Sequence, residues 1–203
     1  MNIEDLDILR EVFNVGSCHA STALSKLTRK NINVSFPKLE FARIEEVAKF
    51  VGELSLIASV VYCYVEFEEN NHRKPFGGFL FILPQDSAVR LAKVLTNESG
   101  EGLSDLDISA LKETGNIVLG NCLTAISNWL KVRFWESVPK FSSDLLGAII
   151  NDLLINFALK TDYVLVLKTE FMVESQKISG SFVLMFEREG YELILRKTRE
   201  LLK

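Results

Sequence analysis

The sequence predicts an α/β (α+β) fold: an internally duplicated single domain whose two pseudo-symmetric halves combine mainly antiparallel strands with two long helices packed on the sheet. Three observations carry that prediction. Residues 5–38 align with 107–140 without a gap, each half opens on a run with helical apolar spacing, and each continues into β-branched and aromatic stretches. The alignment pairs Asp5 with Asp107, Leu9 with Leu111, Glu11 with Glu113 (113 − 11 = 102) and Asn14 with Asn116. It continues through Thr22-Ala23 with Thr124-Ala125, Ser25 with Ser127, and Ser35-x-Pro37-Lys38 with Ser137-x-Pro139-Lys140. So long a register is hard to reach by chance, and the halves are read as 1–100 and 101–203 of one domain spanning 1–203.

The first helix is expected from the stripe Leu6, Leu9, Phe13, Gly16, Ala20, Leu24 and Leu27, at three- and four-residue steps. Ile108, Leu111, Gly115, Val118, Cys122, Ala125 and Trp129 repeat it in the second half, with Ser104 as N-cap and Asp105 and Asp107 set against the helix dipole. Pro37 and Pro139 turn the chain into extended segments. Leu56–Phe67 and Phe79–Leu83 read as a hairpin around a polar Glu68–Pro75 turn, with Tyr163–Val173 and Ser181–Phe186 as counterparts. Further helices are expected at Gln85–Leu95, Asp144–Ala158 and Tyr191–Leu202.

Composition narrows the function. The chain has 203 residues, 48% of them hydrophobic and 25% charged, enough for a sizeable core and too apolar for wholesale disorder. A net charge of −4 is a poor basis for gripping phosphate backbones, so no nucleic-acid partner is expected. The start, Met1 to Asp5, is acidic and lacks the pattern of a signal peptide, and Leu54–Val65 is too short to span a bilayer. A cytoplasmic protein without membrane insertion is expected. Cys18, Cys63 and Cys122 are odd in number with no CxxC spacing and read as buried free thiols; with only two histidines, no metal site is expected.

The polar faces of the two opening helices are the candidate site. Asp7, Glu11 and Asn14 sit at i, i+4 and i+7, within about 60° of arc and opposite the apolar stripe. Ser109, Glu113 and Asn116 repeat the arrangement. A polar face that only meets solvent has no reason to reuse Glu and Asn, and Asn is a mediocre helix former.

The pattern [Asp/Ser]-x-x-x-Glu-x-x-Asn, present twice, resembles the CheC family of chemotaxis phosphatases (the CheC/CheX/FliY superfamily). The continuations Asn14-Val-Gly and Glu113-Thr-Gly-Asn-Ile, each followed by Thr-Ala-[Leu/Ile]-Ser, are also similar. The expectation is the CheC type with two sites; 203 residues leave no room for the added switch domain of FliY. The resemblance implies hydrolysis of the aspartyl phosphate of the response regulator CheY, a hydrolase reaction on an acyl phosphate. Asn14 and Asn116 would orient the attacking water, Glu11 and Glu113 would pair with a receiver lysine, and Asp7 and Ser109 are supporting positions. Mg²⁺ would sit on the receiver, with no cofactor on this chain. The resemblance also implies the receptor deamidase CheD as a further partner near Asp144, and a monomer. The alternative is an adaptor that binds a receiver, CheD or a flagellar switch component without turnover. The family has Gly before the Asn, as at Gly115, whereas the first half has Phe13, expected to alter helix packing before it touches the polar face.

Two other signals are set aside. Ser35-x-x-Lys38 and Ser137-x-x-Lys140 match the Ser-x-x-Lys pattern of serine acylases, but their prolines argue for extended backbone rather than one helical turn. Gly77-Gly78 lacks phosphate-cradling spacing and is expected to permit a tight strand entry.

Overall fold

The computed structural model describes residues 3–159 and 161–201. The chain runs α1 (Ile3–Thr28), β1 (Asn33–Val34), β2 (Lys38–Arg43), α2 (Ile44–Val51), β3 (Ile57–Glu69), β4 (His72–Pro84) and α3 (Gln85–Thr96) in the first half. The second half runs α4 (Asp105–Leu130), β5 (Phe134–Glu136), β6 (Lys140–Leu145), α5 (Leu146–Ala158), β7 (Tyr163–Val173), β8 (Ile178–Phe186) and α6 (Arg188–Leu201). The predicted end of the last helix at Leu202 lies outside the described residues. None of the described helices is long and apolar enough to cross a membrane.

The strands form one antiparallel sheet ordered β1-β7-β8-β4-β3-β5, with β2 also on β7 and β6 also on β3. The extended segment after each long helix therefore pairs with the hairpin of the other half. Lys38–Arg43 lies against Tyr163–Lys168, and Lys140–Leu145 against Ile57–Tyr62. In the middle, Phe79 faces Leu184 and Phe81 faces Phe182. A two-fold axis normal to the sheet exchanges these two pairs, and the same axis sets α1 and α4 antiparallel. Repeated serines fasten the exchanged segments. The Ser35 hydroxyl accepts from the Glu170 N–H at 3.0 Å, and the Ser137 hydroxyl accepts from the Tyr64 N–H at 3.0 Å. Both hydroxyls thus serve the ladder and not a nucleophile.

Two cores flank the sheet. One gathers Leu9, Val12, Phe13, Leu24, Leu111, Val118, Cys122 and Ile126 of the long helices over inward residues of the central strands, with α3 and α6 alongside. The other packs Val47 and Val51 of α2 and Ile149, Ile150 and Leu153 of α5 onto Val60, Leu80, Val166 and Val183. Most Phe side chains fill these cores, including Phe13, Phe67, Phe76, Phe79, Phe81, Phe171, Phe182 and Phe186.

Several expectations are corrected. The hairpin turn is the two-residue Asn70-Asn71, with φ of 52° and 60°, not a Glu68–Pro75 loop. Asn tolerates the left-handed region, and positive φ at both positions matches the twist of paired strands. Pro75 lies within β4 at a bulge: Glu66 pairs with Pro75 and Val65 with Gly77, leaving Phe76 as the extra residue that turns into the aromatic core. Gly77 (φ +157) lies so close to the Met185 carbonyl that no side chain fits, as the Gly-Gly pair leads one to expect. The helix placed at Asp144–Ala158 starts at Leu146, because Asp144 is still paired in β6, opposite Ala58. Cys18 is exposed; only Cys63 and Cys122 are buried.

The two long helices are anchored alike at their first turns. Ser104 caps α4: its hydroxyl accepts from the Asp107 N–H at 3.2 Å, and the Asp107 carboxylate accepts from the Ser104 N–H at 2.9 Å. Asp107, fully buried, also pairs with Lys93 of α3 and accepts from the Thr96 hydroxyl at 3.0 Å. In the first half, Asp5 pairs with Arg199 of α6. Burial alone would raise the Asp107 carboxyl, but the bonds from Lys93, Ser104 and Thr96 outweigh it and hold it at about 2. A carboxyl lowered by folding from its ordinary 3.8 stabilises the fold above that value, and the contribution disappears as pH falls through about 2. Asp107→Asn should destabilise the protein at pH 7 by about 3 kcal/mol, the scale of breaking a buried pair. Urea unfolding of both proteins should show the difference shrinking steadily between pH 4 and pH 2.

Candidate functional site

The apolar stripes of α1 and α4 face the sheet, so the opposite stripes face outward. Glu11 and Glu113 are exposed, Asn14 and Asn116 half-buried, and Asp7 and Ser109 exposed one turn earlier. The two copies therefore match in burial as well as in sequence. No hydrogen bond or ion pair joins the side chains of Glu11, Asn14, Glu113 or Asn116 to other described residues. Asp7 pairs with Arg10 at 3.3 Å across exposed surface, and the Ser109 hydroxyl donates to the Asp105 carbonyl at 2.8 Å. Each copy is thus a free carboxylate and a free carboxamide, one helical turn apart, available to a partner.

The two copies stand well apart. A Cβ on Gly16 would meet Cys122 Sγ at 2.8 Å and Ile126 at 3.2 Å, so α1 and α4 touch closely there. Glu11 lies five residues before Gly16 and Glu113 nine before Cys122. Along antiparallel axes the glutamates are separated by about 20 Å, at 1.5 Å per residue.

Support beneath the two sites differs. A Cβ on Gly115 would lie 2.6 Å from Val61 Cγ1, so α4 rests directly on β3 beneath Asn116. The matching Phe13 is fully buried, with its ring centroid 4.6 Å from that of Phe186. Phe13 does turn inward, as its place on the stripe predicts, and α1 there packs through an aromatic ring.

The thiols divide. Burial pushes Cys122 up to about 12, and burial with a smaller contribution from Glu136 does the same to Cys63; neither is a nucleophile at neutral pH. Cys18 is exposed in line with Asp7, Glu11 and Asn14, eleven residues after Asp7. Asp144 is exposed, and its carboxylate accepts from the Leu145 N–H at 2.7 Å. It lies on β6, away from the polar stripes. No group of three or more His, Cys, Asp or Glu among the described residues is arranged to hold a metal ion.

One neighbour of the second stripe was not legible in the sequence. Gly120 continues the line of Ser109, Glu113 and Asn116, and the Glu136 carboxylate oxygens lie 3.8 and 3.9 Å from the place of a Cβ there. Glu136 sits beyond the helix, on β5, where the first half has Val34. Only the fold brings it to α4.

The CheC-like family matches residues 106–143, a span that contains Ser109, Glu113 and Asn116. The chain is 26% identical over 196 residues to the CheY-P phosphatase CheC of Bacillus subtilis, covering 93% of this chain and 91% of that one. Thermotoga maritima FliY has a similar structure, with a TM-score of 0.73 at 20% identity over 98% of both chains. The structure also resembles the Borrelia burgdorferi CheX–CheY–BeF3–Mg complex, with a TM-score of 0.55 at 18% identity over 87% of this chain and 97% of that one. At these identities the structural matches establish the fold.

Gly115→Ala should push α4 off Val61, with a stability loss of about 1–3 kcal/mol from overpacking. Val61→Ala in the same chain should recover part of that loss. Thermal unfolding of the single and double variants checks the contact, and additive losses would contradict it.

Proposed function

We propose that the chain is a member of the CheC/CheX/FliY family of chemotaxis proteins and that it hydrolyses the aspartyl phosphate of a CheY-type receiver at two sites, Glu11/Asn14 and Glu113/Asn116. The observation that carries this reading is the unpaired Glu and Asn, presented twice, with matching burial, on the outward faces of two symmetry-related helices. A surface built only for solubility would not repeat a carboxamide at a half-buried position.

The chemistry suits those two groups. An acyl phosphate is already activated, and Mg²⁺ held by the receiver offsets its charge, so the phosphatase has chiefly to position water. The carboxamide of Asn14 or Asn116 accepts from that water through its C=O and can donate through its NH₂, with no negative charge to repel phosphoryl oxygens. Glu11 or Glu113 pairs with a receiver lysine and fixes the helix in register. Water attacks phosphorus, the bond to the aspartyl oxygen breaks, and phosphate leaves without ever joining this chain. Asp7 and Ser109 lie one turn away as supporting positions.

Such a receiver implies a cytoplasmic protein, and two sites on one chain are consistent with a monomer. Family membership also suggests CheD as a second partner, for which the exposed Asp144 is available. An adaptor that only binds the receiver would need the glutamates and not the asparagines.

Glu113→Ala with Asn116→Ala should leave the fold intact, because both side chains lie outside the core, and should lower the second site's rate on the order of a hundredfold, about 3 kcal/mol. Initial dephosphorylation rates of wild type, each paired knockout and the quadruple variant test this. Each pair should remove only its own share, and the second site should hold the larger one, since α4 rests on the sheet at Gly115. Full activity in the folded quadruple variant would refute the site. Abolition by either pair alone would refute independence, and dominance of Glu11/Asn14 would reverse the ranking.

A further inference from the structure

The internal duplication supplies a control for every residue near the two stripes, and it isolates Glu136. In the second half the line Ser109, Glu113, Asn116 continues to Gly120, and Gly120 leaves open the space beside which the Glu136 carboxylate lies. In the first half the same line ends on Cys18, and Val34 takes the place of Glu136. The carboxylate has no hydrogen bond or ion pair with other described residues. Glu136 is exposed on β5; partial burial of its carboxylate raises its proton affinity, and no cation among the described residues pairs with it. An exposed carboxylate with no paired cation is available to a positively charged partner, and Glu113 adds a second negative charge along the same helix face.

We propose that Glu136 is a receiver-docking residue of the second site alone, pairing through its carboxylate with a lysine or arginine that the bound receiver brings against Gly120. The assignment rests on the phosphatase reading for its location, and on the Gly120–Glu136 geometry for its chemistry. Its role is to hold the partner, with no part in the reaction at phosphorus. The pair acts on affinity, because the attacking water is held one turn away by Asn116.

The test uses the full chain carrying Glu11→Ala and Asn14→Ala, so that only the second site turns over, with the CheY-type receiver of its own organism. Glu136→Ala and Glu136→Gln should each raise KM by about three- to tenfold with kcat unchanged, and should flatten the dependence of KM on ionic strength. Unchanged KM in both variants would overturn the proposal. So would wild-type behaviour in Glu136→Gln beside a defect in Glu136→Ala, since that result assigns shape and not charge, or a fall in kcat alone. Binding of the Mg²⁺- and BeF3-activated receiver separates this inference from the phosphatase reading. If no variant and no parent turns over phosphate, the phosphatase reading fails; weaker binding by Glu136→Gln would still uphold the docking role, and equal binding would refute it.

Discussion

Pairing of each half's extended segment with the other half's hairpin is the constraint on which the structure depends. Lys38–Arg43 completes the sheet edge beyond β7, and Lys140–Leu145 completes the edge beyond β3. The outer strands of each half pair with the other half, so the two repeats share one sheet. The same exchange carries each long helix across the sheet, because α1 leads into the segment held by β7 and α4 into the segment held by β3. Helix position, and with it the direction of each polar stripe, follows from strand pairing.

Small residues then set the height of the helices. Gly16 lets α1 and α4 meet, and Gly115 lets α4 lie on Val61. Buried carboxylates set their ends, through Asp107 with Lys93 and Asp5 with Arg199. Between a fixed end and a fixed height, an Asn on the outer face has little freedom to wander. Rigidity of this kind is what a positioning mechanism requires, since a shift of even about 1 Å can cost a hundredfold. The two helices are supported differently, α1 through the Phe13 ring on Phe186 and α4 through Gly115 on Val61.

Much of this was legible in the sequence, for physical reasons. The offset of 102 holds through the helices because helical spacing tolerates no insertions, and the outward faces of Glu11/Asn14 and Glu113/Asn116 follow from period 3.6 alone. The start of α5 is not legible locally because Asp144 after two serines looks like an N-terminal helix charge, while its actual constraint is a ladder partner, Ala58, 86 residues earlier (144 − 58 = 86). Cys18 departs from the expected burial because residue type favours the interior, whereas its place on the polar stripe decides exposure. The Asn70-Asn71 turn was hidden by Pro75, which reads as a breaker and proves to sit at a bulge. Glu136 was invisible because it approaches α4 from another element, and no local pattern reports that approach.

On the proposed reading, water, and no group of this chain, takes the phosphoryl group from a receiver. Rapid-quench sampling of a ³²P-labelled CheY-type receiver mixed with the wild-type protein tests it most directly. The label should pass to inorganic phosphate faster than the receiver loses it alone, and at no time should it appear on this chain. Decay at the receiver's own rate, or a labelled intermediate on this chain, would contradict the account.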